Sequence, residues 1–207
     1  MLRASQQTST VESAAPDGAA ARPAREHGRV KTAEDIIRTC NDEQFRHDRW
    51  LFPGKFKAFE AALRMFPDDV DEVVEIGHEE PFRKIYEKLG LRCIGLNLPN
   101  DAHYFNVRCK AVLARHVLEH SPIPLLMITN VFESLEDGGY FVAVVPEATR
   151  HWCGWPPHFS VLPHGGWLKL FRFAGFEPLD CQMGMWRPER QYYEYRFLLQ
   201  KPARPEA

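Results

Sequence analysis

Several features that define specialised classes of protein are absent from this sequence. Its 207 residues contain no apolar run near the roughly 20 residues that span a bilayer, and the longest, YFVAVV at 140–145, has the length of a strand. The formal net charge of -2 gives no basic excess that would attract nucleic acid or an anionic membrane. None of the five cysteines forms a C-x-x-C pair, which favours reduced, packed thiols over zinc or disulfide sites. We therefore predict a cytoplasmic protein with no nucleic-acid partner and no membrane association.

Glycine-rich phosphate loops are also missing. The chain has neither a G-K pair followed by Ser or Thr nor a G-x-G-x-x-G stretch, the two motifs whose backbone cradles phosphate groups. Where an apolar strand runs into Gly77, the next residues are His78, Glu79, Glu80 and Pro81 rather than further glycines. The sequence therefore contains no motif that would support a nucleotide-dependent enzyme of either type.

Composition divides the chain into a tail and one domain. Residues 1–30 are rich in Ala, Ser, Thr, Pro and Arg and contain no aromatic residue, so they have little to bury and predict a disordered tail. Residues 31–201 have the length and apolar content of a single domain with a full core. The last residues, 202–207, predict a flexible C-terminus.

Strands and helices alternate from residue 70 onwards. Strands are predicted at 70–77, 92–98, 110–115 and 140–146, and helices at 79–90, 116–122, 124–139 and 164–176. Such alternation predicts an α/β fold with a Rossmann-like, mostly parallel sheet. The last two strands, PLDCQMGMW and QYYEYRFLLQ, predict an antiparallel C-terminal hairpin at the edge of that sheet.

Polar residues follow each predicted strand, in the stretches GHEEP, NLPND, RHVLEH and PEATRHWCGWPPH. In open α/β sheets, ligands bind outside the carboxyl ends of the strands, near the point where strand order reverses. We therefore predict the functional site at this edge of the sheet.

Three stretches resemble a known family. LARHVLEHSP, LEDGGYFVAVVP and PPHFSVLPHGGWLKLFRFAGFEP follow one another at spacings similar to those of class I S-adenosylmethionine-dependent methyltransferases. That family combines an H-x-L-E-H helix start, a K-P-G-G-Y turn before a strand, and a helix ending in A-G-F. The resemblance covers residues 70–200 and implies a methyltransferase sheet. It also implies a sheet shortened between strands two and four, because only PNDAHYFNVRC remains where family members insert a helix and a strand.

The resemblance implies S-adenosylmethionine as the cofactor and a set of residues that bind it. Glu75 and Gly77 match the first acid and first glycine of the family's E-x-G-x-G-x-G loop, but Glu79 stands where the second glycine is expected. Asn97 stands in place of the acid that binds the ribose, and Asp101 matches a residue that touches adenine. The implied cofactor-binding residues are Glu75, Gly77, His78, Asn97, Leu98, Asp101, Ala114, Arg115 and His116.

The segment TRHWCGWPPHFSVLPHGGW brings three histidines and three tryptophans to the expected acceptor side. The family often has a histidine before its last helix, and His158 matches it. A histidine can take a proton from a hydroxyl near neutral pH, so His120 and His158 are the candidate catalytic residues. The alternative is that this aromatic segment is a lid packed on the core.

The stretch HVLEH places His116, Glu119 and His120 at i, i+3 and i+4, on one face of a predicted helix. Some relatives hold a divalent metal on a comparable E-x-x-E-H face. The same stretch is also common in members without a metal, where it serves capping and packing, so we predict no metal site.

Two functions of different class remain open on the sequence. One is a methyltransferase acting on a small-molecule or saccharide acceptor, with a divergent cofactor loop. The other is a catalytically inactive protein that keeps the methyltransferase fold and binds a protein partner, which the altered loop and the trimmed adenine-facing wall would favour.

Overall fold

The computed structural model describes residues 53–77, 82–96, 107–156, 158–187 and 190–204. In these ranges the helices are α1 (Pro53–Leu63), α2 (Arg83–Leu89), α3 (Pro124–Ser134), α4 (Arg150–Cys153) and α5 (His164–Phe173), with a 3-10 helix at Leu118–His120. The strands are β1 (Glu72–Ile76), β2 (Arg92–Leu96), β3 (Cys109–Arg115), β4 (Leu135–Pro146), β5 (Glu177–Arg187) and β6 (Tyr192–Gln200). None of the described helices is long and apolar enough to cross a membrane.

The described strands form one six-stranded sheet in the order β2-β1-β3-β4-β6-β5. Strands β2, β1, β3 and β4 are parallel, and β6 pairs antiparallel with both β4 and β5. The prediction of a mostly parallel Rossmann-like sheet with an antiparallel C-terminal hairpin is therefore confirmed. The chain leaves β1 for β2 on one side and returns to β3 on the other, so the strand order reverses between β1 and β3.

Helices cover both faces of the sheet. On one face, α1 and α2 bury Phe59, Phe82 and Tyr86 against β1, β3 and β4. On the other face, α3 and α5 bury Ile128 and Trp167 against the alternate residues of the same strands. Because each central strand is covered on both sides, it reads as a nearly continuous apolar run, as the sequence of β4 shows.

Glycines with positive φ lie at the end of α2 and at a turn within β4. Gly90 has φ 71° and closes α2, with its N–H directed at the carbonyls of Glu87 and Tyr86. Gly138 has φ 80° in the turn that enters the buried part of β4.

Two element predictions are wrong. His116 has φ 52° and lies outside any helix, so HVLEH does not present one helical face; only Leu118–His120 forms a short 3-10 turn. Helix α3 begins at Pro124 as predicted, because proline fixes a helical φ and disfavours helix in the residue before it. The predicted end is wrong, because α3 ends at Ser134 instead of Gly139: Leu135 pairs with Cys109 and the following residues join β4.

Candidate functional site

The reversal of strand order is marked by Gly77, directly after β1. Its N–H donates to the carbonyl of Leu96 at 2.9 Å, and its φ is 77°. A Cβ at this position would lie 2.7 Å from Cγ2 of Val117, a buried residue that follows β3. Glycine is therefore required here by the close approach of another side chain as well as by the backbone conformation.

Arg115 is the last residue of β3 and carries a buried cation. Its guanidinium carbon lies 5.7 Å and 5.3 Å from the ring centroids of Phe59 and Phe82, so cation–π contacts hold its stem on the α1 side of the sheet. Within the part of the chain that the structure describes, its Nε and Nη2 have no hydrogen-bond partner. Buried donors of this kind are rare in folded proteins, and they fit an anionic group supplied by a ligand.

Two other residues implied as cofactor-binding turn their side chains into the core. Glu75 is 2% exposed, and its Oε2 lies 3.7 Å from the thiol of Cys93. Burial, together with the neighbouring Glu75 carboxylate, raises the pKa of Cys93 to about 12. Ala114 is fully buried in the core on the opposite face. Contact between either residue and a ligand at this edge would therefore come mainly from the backbone.

A charged cluster is built around His116. Its Nδ1 lies 3.1 Å from Oε1 of Glu119 and its Nε2 lies 2.9 Å from Oε2 of Glu194. The other oxygen of Glu194 accepts from Nε of Arg196 at 2.7 Å. The His116 side chain is 20% exposed, whereas both carboxylates are fully buried.

The pKa values in this cluster follow from its hydrogen bonds. Burial opposes the charged form of each group. The hydrogen bonds to Glu119 and Glu194 nevertheless outweigh burial and raise the pKa of His116. For Glu194 the hydrogen bond from His116 and the charges of Arg115 and Arg196 likewise outweigh burial, and they hold its pKa at about 2. The hydrogen bonds of the cluster therefore favour the charged forms of His116 and Glu194.

His120 and His158, the two predicted catalytic residues, are brought together by the structure. Their ring centroids are 4.8 Å apart, with the planes at 78°. The contact is made because the backbone N–H groups of Phe159 and Ser160 donate to the carbonyl of Glu119 at 2.8 and 3.0 Å. The Nδ1 atom of His158 lies 3.1 Å from the carbonyl of Trp152. Burial lowers the pKa of His158 to about 4, so its ring is neutral at pH 7.

The aromatic segment after β4 packs partly on the core. Trp152 of α4 is buried and stacks on Trp186 of β5, with centroids 5.7 Å apart and planes at 29°. It also contacts the rings of Tyr192 at 4.8 Å and His158 at 5.4 Å. By contrast, His151 is exposed and stacks on Tyr192. Trp152 therefore packs as the alternative of a lid on the core expects. The same segment also holds His158 beside His120.

Solved structures share this architecture at low sequence identity. The 1,6-didemethyltoxoflavin-N1-methyltransferase of Burkholderia thailandensis, bound to 1,6-didemethyltoxoflavin and S-adenosylhomocysteine, aligns with TM-score 0.57 and 15% identity over 82% of this chain and 87% of its own. A SAM-dependent methyltransferase of Archaeoglobus fulgidus aligns with TM-score 0.55 and 14% identity over 79% of this chain and 99% of its own. This chain has the class I methyltransferase fold.

The methyltransferase fold does not fix the reaction. The cyclase SpnF aligns with TM-score 0.55 and 13% identity over 72% of this chain and 81% of its own. No protein-family model matches the chain, and no curated protein matches its sequence. The chemistry of this methyltransferase-fold protein therefore has to be argued from its own residues.

Four of the implied cofactor residues lie outside the described residues, namely His78, Asn97, Leu98 and Asp101. Their roles stay predictions. Gly77, Arg115 and His116 are described, and all three lie at the carboxyl edge of the methyltransferase sheet, next to the reversal between β1 and β3.

Four residues of the site were not predicted from the sequence, and they come from the C-terminal hairpin: Trp186, Tyr192, Glu194 and Arg196. A signal for two of them was present. Glu194 and Arg196 are alternate residues of a strand that the sequence placed in the sheet, so both point to the same face, which is buried. Charges on a buried face are retained only when they are paired, which would have marked the pair as part of a site.

Proposed function

We propose that this protein is an S-adenosylmethionine-dependent methyltransferase with a small-molecule acceptor. The observation that carries the proposal is the buried guanidinium of Arg115, whose Nε and Nη2 have no hydrogen-bond partner among the described residues. It stands at the carboxyl end of β3, beside the reversal of strand order where sheets of this type bind their ligands. S-adenosylmethionine carries a carboxylate, the group that a guanidinium binds best.

The cofactor supplies a sulfonium methyl group that is already activated, so the protein mainly binds and orients the two reactants and excludes water. Arg115 holds the carboxylate of the cofactor in this proposal. The remaining cofactor contacts are assigned to Glu75, Gly77, His78, Asn97, Leu98, Asp101, Ala114 and His116. Most of these contacts would be made by backbone, since the side chains of Glu75 and Ala114 are buried in the core.

The acceptor side is assigned to His120, His158 and the aromatic residues around them. A neighbour in fold is named for a small molecule, 1,6-didemethyltoxoflavin, which supports an acceptor of that class. The pKa of about 4 makes His158 a weak base, so we assign proton uptake from an acceptor hydroxyl to His120 and a positioning role to His158.

The competing function is a catalytically inactive protein that keeps the fold for binding a protein partner. Two observations favour it. Val117 packs against Gly77 at the point where cofactor backbone contacts are expected, and Glu79 replaces the second glycine of the family's loop. A protein of this kind would bind no S-adenosyl compound.

The proposal is tested by titration calorimetry with two ligands that differ in the carboxylate. S-adenosylhomocysteine has it, and 5′-methylthioadenosine does not. We expect Arg115→Met to weaken S-adenosylhomocysteine binding by about tenfold or more, equivalent to about 1.4 kcal/mol, and to leave methylthioadenosine binding nearly unchanged.

Arg83→Met is the matched control, because Arg83 is exposed and pairs with Glu87 on the surface of α2. The unfolding midpoint of each variant is measured first, since Arg115 also helps to hold the charge of Glu194. Equal losses of affinity for both ligands in Arg115→Met would contradict the proposal that Arg115 binds the carboxylate of the cofactor. No binding of S-adenosylhomocysteine by the unmutated protein at millimolar concentration would instead support the inactive alternative.

A further inference from the structure

Three potential metal ligands meet where the 3-10 helix contacts the aromatic segment. One ligand atom from each of Glu119, His120 and His158 lies within 4.8 Å of the other two. The sequence predicted no metal, and it grouped His116 with Glu119 and His120 on a helical face. The structure replaces His116 in that group by His158, because HVLEH is not helical and the segment after β4 folds back onto it.

We propose that Glu119, His120 and His158 bind one divalent transition-metal ion of the zinc type. The environment of the Glu119 carboxylate supports this metal site independently of the distances between the ligand atoms. Glu119 is fully buried, its Oε1 is used by His116, and its Oε2 has no hydrogen-bond partner within the described ranges. A buried carboxylate oxygen without a hydrogen-bond donor destabilises the fold unless a cation binds it.

The surroundings of the ligands are those of a metal site. With Nδ1 of His158 donating to the carbonyl of Trp152, the lone pair lies on Nε2 and is available to an ion. His116 binds the other oxygen of Glu119 and links it to Glu194, which fixes the orientation of the carboxylate. Ligating residues are typically held by such second hydrogen bonds.

Two histidines and one carboxylate are the ligand set of many catalytic zinc sites, which keep a fourth position open. Atoms that each lie about 2.0–2.1 Å from one ion are less than 4.8 Å apart. The side chains would therefore have to move slightly toward the ion on binding. His120 is half-buried, and we expect its ring to move toward the ion on binding. An ion bound here would engage His120 as a ligand, so the open position, in place of His120, would bind an acceptor hydroxyl and lower its pKa. That role rests on the proposed methyl transfer, whereas metal binding itself does not.

The test uses the full chain after removal of metal by a chelator. Calorimetric titration with Zn²⁺ is expected to give a stoichiometry of one, and Co²⁺ is expected to give the visible absorption of a coordinated ion. His120→Ala and His158→Ala should each weaken Zn²⁺ binding at least tenfold, and Glu119→Gln should do the same while keeping the size of the side chain.

His164→Ala is the matched control, because His164 lies outside the cluster and stacks on Phe197. It should bind Zn²⁺ like the unmutated protein. The unfolding midpoint of each metal-free variant shows whether it is folded. Absence of Zn²⁺ and Co²⁺ binding by the unmutated protein, or unchanged binding by folded His120→Ala and His158→Ala, would overturn the site. Titration with S-adenosylhomocysteine in the same samples keeps this outcome separate from a failure of the proposed function.

Discussion

At the scale of single residues, Glu194 is the side chain that joins the charged groups at the sheet edge. Its two oxygens contact His116 and Arg196, and it is fully buried. Removing one partner of a buried ion pair leaves the other charge uncompensated, which costs about 3–5 kcal/mol. Removing the charge of Glu194 is therefore expected to lower the stability of the protein strongly, although the side chain changes little in size.

We expect Glu194→Gln to lower the free energy of unfolding at pH 7 by about 3 kcal/mol. The folded-state pKa of about 2 lies below the ordinary value of 4.5, so the carboxylate contributes its full stability above pH 4.5. That contribution is lost as the pH falls through the folded-state value. Urea unfolding at a series of pH values from 7 to 2 measures it.

The control for this experiment is Glu87→Gln, because Glu87 is exposed on α2 and pairs with a surface arginine. It should change stability by less than about 0.5 kcal/mol. The account of the cluster is contradicted if Glu194→Gln and Glu87→Gln have the same stability at pH 7, or if the difference between Glu194→Gln and the unmutated protein stays constant down to pH 2.

At the scale of elements, the end of β1 is held against the residues that follow β3. Gly77 meets both demands there, a positive φ and the close approach of Val117. Gly138 offers a matched comparison, because it has a similar φ of 80° and no atom of the described residues lies within 4 Å of where its Cβ would be. A substitution at Gly138 therefore measures backbone strain alone, whereas the same substitution at Gly77 measures backbone strain together with crowding by Val117.

Gly138→Ala should cost about 1–2 kcal/mol of unfolding free energy, the price of a left-handed conformation for an L-residue. Gly77→Ala should cost about 2–4 kcal/mol, because overpacking against Val117 adds to the same strain. Urea unfolding of both variants checks the difference. In the Gly77→Ala background, Val117→Ala should recover part of the loss, and equal costs at the two glycines would mean that Val117 does not crowd position 77.

Most elements were predictable because their periodicity is strong and glycines mark their ends. The alternating strands and helices, the antiparallel hairpin and the αL end of α2 are confirmed. The errors fall at 116–122 and 135–139, where local patterns favour a helix. The positive φ of His116 keeps that residue out of a helix, and pairing with Cys109 draws Leu135 into β4, so backbone geometry and tertiary contacts decide against the helical pattern.

At the scale of the whole molecule, the fold was predictable and the site only in part. The sequence placed polar residues after the right strands, and it named His120 and His158, whose rings are in contact. It did not show that Glu75 and Ala114 face the core, because burial at the end of a strand depends on which helices cover it. It also missed Glu194, which reaches His116 only through the return of the chain as β6.

The central claim is that the edge beside the reversal between β1 and β3 binds an S-adenosyl compound. The most direct measurement is a set of amide nitrogen–proton NMR spectra of the 23.9 kDa protein during titration with S-adenosylhomocysteine. We expect the amide signals of Gly77, Leu96, Arg115 and His116 to shift together and to saturate, while those of α5 stay in place. Unchanged spectra at millimolar ligand, or shifts confined to residues away from this edge, would contradict the account.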